Sequence, residues 1–305
     1  MEGQAGAGRG AGLFRAEDLV NPDSPAAIRA LLEERGLSLK KRWGQNFLIN
    51  RGARERLVSL LAPEPQEMIW EIGPGLGSMT ADILDRARSV LAFEIDHGLC
   101  RYLQESLGNR PSFTLVPGDF LETWRETAEA RGLPDRIMGN LPYSAASIII
   151  AEILEGQLKP GAMIFTVQRE LADRMASPPG RKSYSSFSVL CQACCTVKNR
   201  GDLKPGSFYP APDVVSSVVE MRPRANAASG ETLTILSGLV RGLFSSRRKI
   251  MRNNLALCRL PAGLSDESVL EAMKEAGIDP GTRAEEVSPD AFLILAKTLK
   301  ESSTL

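Results

Sequence analysis

Residues 68–77 read Met68-Ile69-Trp70-Glu71-Ile72-Gly73-Pro74-Gly75-Leu76-Gly77. A short, nearly continuous apolar run such as Met68–Ile72 suits a strand buried on both faces. It passes straight into a glycine turn, Gly73–Gly77, and then into Ser78–Arg86, which has the apolar spacing of a helix. A glycine turn between a strand and a helix lets a ligand approach the backbone and points the helix N-terminus at it.

The same alternation continues outward. Val90–Ile95, Phe113–Val116, Arg136–Gly139 and Ala162–Val167 read as further strands. Helical stretches at Leu99–Leu107, Leu121–Arg131 and Ala146–Leu154 lie between them. Strands alternating with helices imply an α/β fold with a parallel sheet covered on both faces. Val189–Val197 and Val214–Met221 follow without a long helix between them. They predict an antiparallel hairpin on the sheet edge, giving a Rossmann-like, mostly parallel sheet of seven strands.

Beyond Arg222-Pro223 and a polar linker, Leu233–Phe244, Arg248–Leu257, Glu267–Ala276 and Pro289–Leu299 all have helical period. Upstream, residues 1–24 are rich in Gly and Ala and aperiodic, and Ser24-Pro25 has the form of a helix start. The expected organisation is a flexible tail (1–24), an α/β catalytic domain (25–225) and a small all-α C-terminal domain (226–305).

In this chain of 305 residues, 43% are hydrophobic and 24% charged, which excludes a mostly disordered chain or a fibre. No apolar run reaches the ~20 residues of a membrane-spanning helix, so no membrane association is expected. The first residues lack the apolar core of a secretory leader. Five cysteines do not suggest a disulfide framework, and a cytoplasmic location is expected.

The charges balance, 37 basic against 37 acidic, but they are not evenly spread. Three stretches hold cations and no acid. Residues 35–54 contain Lys40, Lys41 and Arg42. Residues 174–201 contain Arg174, Arg181, Lys182, Lys198 and Arg200. Residues 232–265 contain Arg247, Arg248, Lys249 and Arg252. Basic patches on a neutral protein fit a polyanion met on particular faces, although each alone could be a solvated helix face. Read as helical, Arg248 and Arg252 are four apart and share a face.

The strand ends carry the chemistry. Glu94 closes the second strand about 20 residues after Gly73, where a carboxylate accepts hydrogen bonds from ribose hydroxyls. These two features do not distinguish a dinucleotide from S-adenosylmethionine. Asp119, after the third strand, can accept from an adenine amino group or cap the next helix. After the fourth strand, Asn140-Leu141-Pro142-Tyr143 has the (Asp/Asn)-x-Pro-(Tyr/Phe) form found in enzymes that methylate exocyclic amino groups of bases. An adenine amino nitrogen is a poor nucleophile because its lone pair is delocalised into the ring. The Asn140 side-chain oxygen and the Leu141 carbonyl can accept its two N–H bonds, favouring pyramidalisation. Pro142 stiffens the turn, and Tyr143 offers a flat face to an extruded base.

With these motifs in this order, the chain resembles the ribosomal RNA adenine N6,N6-dimethyltransferases of the KsgA/RsmA type. The resemblance runs from about Ile28 almost to the C-terminus. It also rests on Lys41-Arg42-Trp43-Gly44-Gln45-Asn46-Phe47-Leu48, Gln168-Arg169-Glu170, Phe208-Tyr209-Pro210-Ala211-Pro212-Asp213-Val214, Phe244-Ser245-Ser246-Arg247-Arg248-Lys249 and Arg283-Ala284-Glu285-Glu286. It implies a class I S-adenosylmethionine methyltransferase fold, with S-adenosyl-L-methionine as cofactor contacted by Asn46, Leu48, Gly73, Glu94, Asp119 and Asn140. The implied substrate is two adjacent adenines in the 3′-terminal hairpin loop of 16S rRNA, within the small ribosomal subunit. A role in late subunit biogenesis goes with it, and the enzyme is expected to act as a monomer.

Two departures stand out: Ser144-Ala145-Ala146-Ser147 after Tyr143, and Ser185 where relatives usually have Gly. Phe208 is, by the resemblance, a second stacking face opposite Tyr143, and otherwise a core residue. Cys191, Cys194 and Cys195 lack the fourth ligand of a tetrahedral metal site, the one histidine being the distant His97. Burial at period 2 in a strand accounts for them, and no metal is expected. Two rival functions are an Erm-type 23S rRNA methyltransferase and a non-catalytic ribosome-assembly factor.

Overall fold

A seven-stranded sheet organises the chain, in the order β4-β3-β2-β5-β6-β9-β7. The computed structural model describes residues 19–39, 45–260 and 264–302. The elements run α1 (Pro25–Glu34), β1 (Phe47–Leu48), α2 (Arg51–Leu61), β2 (Met68–Ile72), α3 (Ser78–Leu84), β3 (Ser89–Glu94), α4 (His97–Leu107), β4 (Phe113–Pro117), α5 (Phe120–Arg131), β5 (Arg136–Asn140), α6 (Ala146–Glu155) and β6 (Ala162–Gln168). They continue with α7 (Arg169–Met175), α8 (Ser186–Cys194), β7 (Cys195–Leu203), β8 (Phe208–Tyr209), β9 (Ser216–Pro223), α9 (Gly230–Leu243), α10 (Asp266–Glu275) and α11 (Pro289–Ser302). Strands β2 to β6 are parallel, while β9 runs antiparallel to both β6 and β7.

The alternation of side chains along each strand builds two cores. Trp70 and Ile72 face one side, where Trp70, Phe93 and Phe120 meet edge to face at 5.0 and 5.1 Å. Ile69, Ala92, Met138 and Ile164 face the other, under Leu57, Val58 and Leu61 of α2. Every residue of β2 is buried, as the apolar run at 68–72 requires.

Two expected elements differ. The run Val189–Val197 is not a strand throughout: α8 occupies Ser186–Cys194, and β7 begins only at Cys195. A capping box starts this helix, with Ser185 accepting from the Ser188 N–H and Ser188 Oγ accepting from the Ser185 N–H. Short apolar runs do not report their period, and here the cap decides. Cys191 and Cys194 are therefore buried on a helix and only Cys195 on a strand. Burial pushes the Cys194 and Cys195 thiols up to about 12. Ser185 has φ of −153°, extended backbone that needs no glycine.

The second difference is Arg248–Leu257, where the chain makes a turn and then a 3-10 stretch, Met251–Leu257, instead of an α-helix. The Met251 and Arg252 amides donate to Thr282 and Pro280 rather than back along a helix. Buried Asn254 donates to the carbonyls of Leu243 and Ser246 at 2.8 and 3.2 Å, tying the segment to the end of α9. Arg248 and Arg252 do not share a helix face.

Residues 1–18 of the expected tail lie outside the described residues, as do Lys40, Lys41 and Arg42. Leu19–Ser24 are packed, contrary to a tail running to residue 24. The Val20 amide donates to the Tyr102 hydroxyl at 2.8 Å, Asp23 pairs with Arg54, and Ser24 caps α1.

The C-terminal helices share the first core. Tyr184 donates to the Val287 carbonyl at 2.8 Å, and its ring meets Phe244 at 5.8 Å. In α9, a Cβ at Gly238 would lie 1.9 Å from the Arg259 carbonyl oxygen, so only glycine lets that strand of chain cross so closely. Among the described residues, no helix is long and apolar enough to cross a membrane.

Candidate active site

The parallel strands end together, and their ends surround a cavity of about 300 Å³. Ligand sites of α/β sheets form at such carboxyl ends. The turn after β2 supplies one wall. Gly75 has φ of +59°, and a Cβ there would stand 3.0 Å from the Phe47 ring, so the turn passes beneath that ring only without a side chain.

Glu94, at the end of β3, lines the cavity yet is only 4% exposed. Its Oε2 accepts from the Gly75 amide at 3.1 Å and its Oε1 from the Asp96 amide at 2.9 Å. Each oxygen keeps further acceptor capacity, which suits a vicinal diol. Burial raises its pKa to about 7 against the pull of those amides. The carboxyl of the neighbouring Glu71 is fully buried, with the Thr80 hydroxyl as its nearby polar group. Burial, with the nearby Glu94 adding, also raises Glu71 to about 7.

Asp119 is a helix cap and also stands on the cavity wall. Its Oδ1 caps α5 by accepting from the Leu121 amide at 2.9 Å.

Asn140, at the end of β5, lines the cavity as well. Its Nδ2 donates to the Asn46 carbonyl at 2.7 Å. Leu141 is buried at 1% exposure, and its amide donates to the Thr166 carbonyl at 3.1 Å, fixing the peptide that follows Asn140. Pro142 and the departing residues Ser144 and Ala145 line the wall beside it. Tyr143 is half-buried, and its hydroxyl lies 2.5 Å from the Oγ of Ser216, a wholly buried residue of β9.

Leu48 and Phe208 do not line this cavity. They pair with each other across β1 and β8, and both are buried, Phe208 at 2% exposure. The Leu48 carbonyl is taken by Arg54 at 3.0 Å. Phe208 therefore has its ring claimed by two-strand pairing and core contacts, and Tyr143 is likewise not among the residues lining this cavity. Phe47, Phe93 and Phe120 are the aromatic residues that line the cavity. The sequence reading passed over Phe47, Gln45 and Ser216. Gln45 lines the cavity and donates to Asp96 Oδ2 at 3.1 Å. The first two belong to the Lys41–Leu48 motif, which marks the segment but not which of its side chains reach the cavity.

The described basic residues divide into two kinds. Arg247 is paired with Glu285 and donates to the Lys182 carbonyl at 2.7 Å. Arg248, Lys249 and Arg252 are exposed, with no ion pair among the described residues. The described residues contain no cluster of three or more His, Cys, Asp or Glu able to hold a metal ion.

The ribosomal RNA adenine dimethylase family model matches residues 36–301. The chain belongs to this family. The chain is 37% identical over 278 residues to the ribosomal RNA small subunit methyltransferase A of Treponema denticola, covering 90% of this chain and 94% of that one. It is 36% identical over 280 residues to the protein of that name from Borreliella burgdorferi, covering 92% and 95%. Among solved structures, a dimethyladenosine transferase from Plasmodium falciparum shares the fold, with a TM-score of 0.71 at 20% identity over 83% of this chain and 97% of that one. The 23S rRNA methyltransferase ErmE gives a TM-score of 0.62 at 26% identity over 84% of this chain and all of that one (100%). The cavity at the strand ends is thus the candidate active site of a ribosomal RNA adenine dimethylase.

Proposed function

We propose that this chain dimethylates N6 of two adjacent adenines in the 3′-terminal hairpin loop of 16S rRNA, in the small ribosomal subunit, using S-adenosyl-L-methionine. The observation that carries this reading is the convergence of Glu94, Asp119 and Asn140 on one cavity of about 300 Å³. That volume lies at the lower end of small-ligand pockets, and the acceptors match an adenosine: one carboxylate to accept from the ribose diol and a second to accept from the amino group. Asn46 and Gly73, which line the same cavity, would hold the remainder of the cofactor. The bound cofactor supplies an electrophilic sulfonium methyl.

The chain's own residues prepare the nucleophile. The Asn140 oxygen and the Leu141 carbonyl accept the two N–H bonds of the target amino group, turning its lone pair outward. Both interactions strengthen as the nitrogen gains positive charge. The Tyr143 ring supports the extruded base. After transfer the amino proton is acidic and leaves to solvent, so no dedicated base is needed. Lys40, Lys41, Arg42, Arg248, Lys249 and Arg252 are the proposed phosphate-facing cations of the RNA surface, while Arg247 is held by Glu285 and the Lys182 carbonyl. The enzyme acts as a monomer in the cytoplasm, with residues 25–225 as the catalytic domain and the helical residues 226–305 as an RNA-binding domain.

The large-subunit reading draws on the likeness to ErmE, at 26% identity. Identities of 36% and 37% to proteins named for the small subunit favour the first reading. The intact Asn140–Tyr143 motif argues against a purely non-catalytic assembly factor. The test is methylation of purified small and large subunits from cells lacking this activity. Dimethyladenine in the small-subunit rRNA alone is expected; methylation of the large subunit alone would overturn the reading.

A further inference from the structure

On the far side of the sheet edge, one buried carboxylate gathers more positive charge than it needs. Glu220 of β9 is 4% exposed. Arg222 donates to its Oε1 at 2.6 Å, and Arg200 of β7 pairs with its Oε2. Lys198 is the cross-strand partner of Glu220, so the two project from the same face. Arg56, on the exposed side of α2, donates to the Arg200 carbonyl. The β7 ladder is irregular between Asn199 and Asp202, and Gly201 sits there at φ of +111°, a bulge that re-aims the chain at Arg200.

Neutralising Glu220 takes one arginine. The second arginine, Arg56 and Lys198 are in excess. Lys198 is exposed and has no ion pair among the described residues, while the Arg200 and Arg222 side chains remain 37% and 47% exposed. The neighbouring acids are engaged elsewhere: Glu55 with Arg51, Glu67 with Arg136, and Asp202 with Ser217 and Arg169. A lysine on an edge strand also discourages strand pairing, but that role does not call for three arginines around it. Arginines held by a buried carboxylate keep outward N–H groups in fixed positions, the arrangement that suits phosphate.

We propose that Arg56, Lys198, Arg200 and Arg222 form a docking surface for the phosphodiester backbone of RNA, distinct from the cavity and from the Arg247–Arg252 segment. This rests on the reading that the partner is ribosomal RNA. Glu220 lies four residues along β9 from Ser216, about 13 Å from the hydroxyl that holds Tyr143. A strand of RNA whose base enters the cavity can reach the patch with its flanking phosphates.

The test is the double variant Arg56→Gln/Lys198→Gln, which leaves both arginines on Glu220. Binding of naked small-subunit rRNA is measured against salt, with binding of assembled subunits alongside. Each lost phosphate contact lowers the slope of log affinity against log salt by about 0.7–0.9. The variant is therefore expected to lose about 1–2 from that slope and several-fold in affinity near physiological salt. Melting temperature and affinity for S-adenosylhomocysteine stay at wild-type values. Lys198→Glu, at a site with no partner to lose, is expected to weaken binding more than Lys198→Gln.

An unchanged slope and affinity overturn the proposal. So does a loss seen with assembled subunits but not with naked rRNA, which would make the partner a protein. Wild-type methylation of the same subunits is run in parallel. Its failure with a changed slope removes the functional reading and leaves the patch.

Discussion

The side-chain nitrogen of Asn140 donates to the backbone carbonyl of Asn46 at 2.7 Å. A carbonyl oxygen facing the amide oxygen would be repelled, so this bond decides which end of the amide is which. The nitrogen is held by the chain, and Oδ1 is the atom left for a ligand. The segment before β1 therefore orients a group at the end of β5, although 94 residues separate the two.

Asn140→Ala removes the acceptor and leaves the glycine turn, Glu94 and Asp119 in place. Losing one preorganised partner of developing charge typically costs about 2.7–4 kcal/mol, a hundred- to thousandfold in rate. The variant is expected to fold, to bind cofactor with a smaller loss than Glu94→Ala, and to methylate very slowly. Asn140→Asp should also be impaired, because it sets a carboxylate oxygen against the Asn46 carbonyl. Single-turnover methylation at saturating cofactor checks both. An Asn140→Ala rate within about threefold of wild type would remove the amino-group role.

These relationships show what the sequence could reveal. Strand ends were legible because a buried strand followed by glycine or acid is a local pattern, as at Ile72-Gly73 and Glu94. The pairing of Asn140 with Asn46, and of Tyr143 with Ser216, was not, because nothing local links residues so far apart. Phe208 misled for a related reason. An aromatic residue in a proline-rich loop has the same local pattern whether it faces a base or a core, and only the pairing of β8 with β1 buries it. At Arg248–Leu257 the helical period was present, but Asn254 bonds to the end of α9 and draws the segment out of a helix.

The contact between Tyr143 and Ser216 at 2.5 Å predicts a positioning role for Ser216. Ser216→Ala leaves the half-buried phenol without that partner and frees the ring to tilt. A lost buried hydrogen bond of this kind is worth about 1–3 kcal/mol, so a tenfold fall in kcat is expected with cofactor affinity unchanged. Tyr143→Phe should show a similar loss, and the double variant no more than either single one. Additive losses in that cycle would mean that the two hydroxyls act separately.

Glu94 and Glu71 predict how pH acts on the apo protein. Both carboxyls rise from an ordinary value of 4.5 to about 7 through burial. Between those values the folded chain holds more protons at these two sites than the unfolded one, so the stability they contribute is fully present below the lower value and is lost as pH rises towards 7. Ribose hydroxyls donate to the ionised form of Glu94, so cofactor affinity should change in the opposite sense and increase with pH across the same range. Thermal melts from pH 5 to 8, with and without S-adenosylhomocysteine, are expected to diverge as pH rises. Glu94→Gln should weaken binding and flatten its pH dependence. A ligand-induced shift that is constant with pH in the wild type would place the ionisation of Glu94 well below 7.

The C-terminal cations predict two different phenotypes within six residues. Arg247 is committed to Glu285 and to the Lys182 carbonyl, so it fastens the turn after α9 to neighbouring chain segments. Its ion pair is partly exposed, and Arg247→Ala should lower the melting temperature only slightly, by ~1–3 °C. Arg248 and Arg252 are exposed and make no ion pair among the described residues, so their removal leaves the fold without a partner to satisfy. If they meet phosphate, Arg248→Ala and Arg252→Ala should each reduce the salt slope of rRNA binding by about 0.7–0.9 while leaving base choice and cofactor affinity alone. Because a turn and a 3-10 stretch hold them, not one helix face, they act as separate contacts, and the losses should add in the double variant. Methylation at saturating subunits should stay near the wild-type rate. A double variant with the wild-type slope, measured over a range of salt on naked rRNA, would show that these two side chains stay in solvent when the RNA is bound.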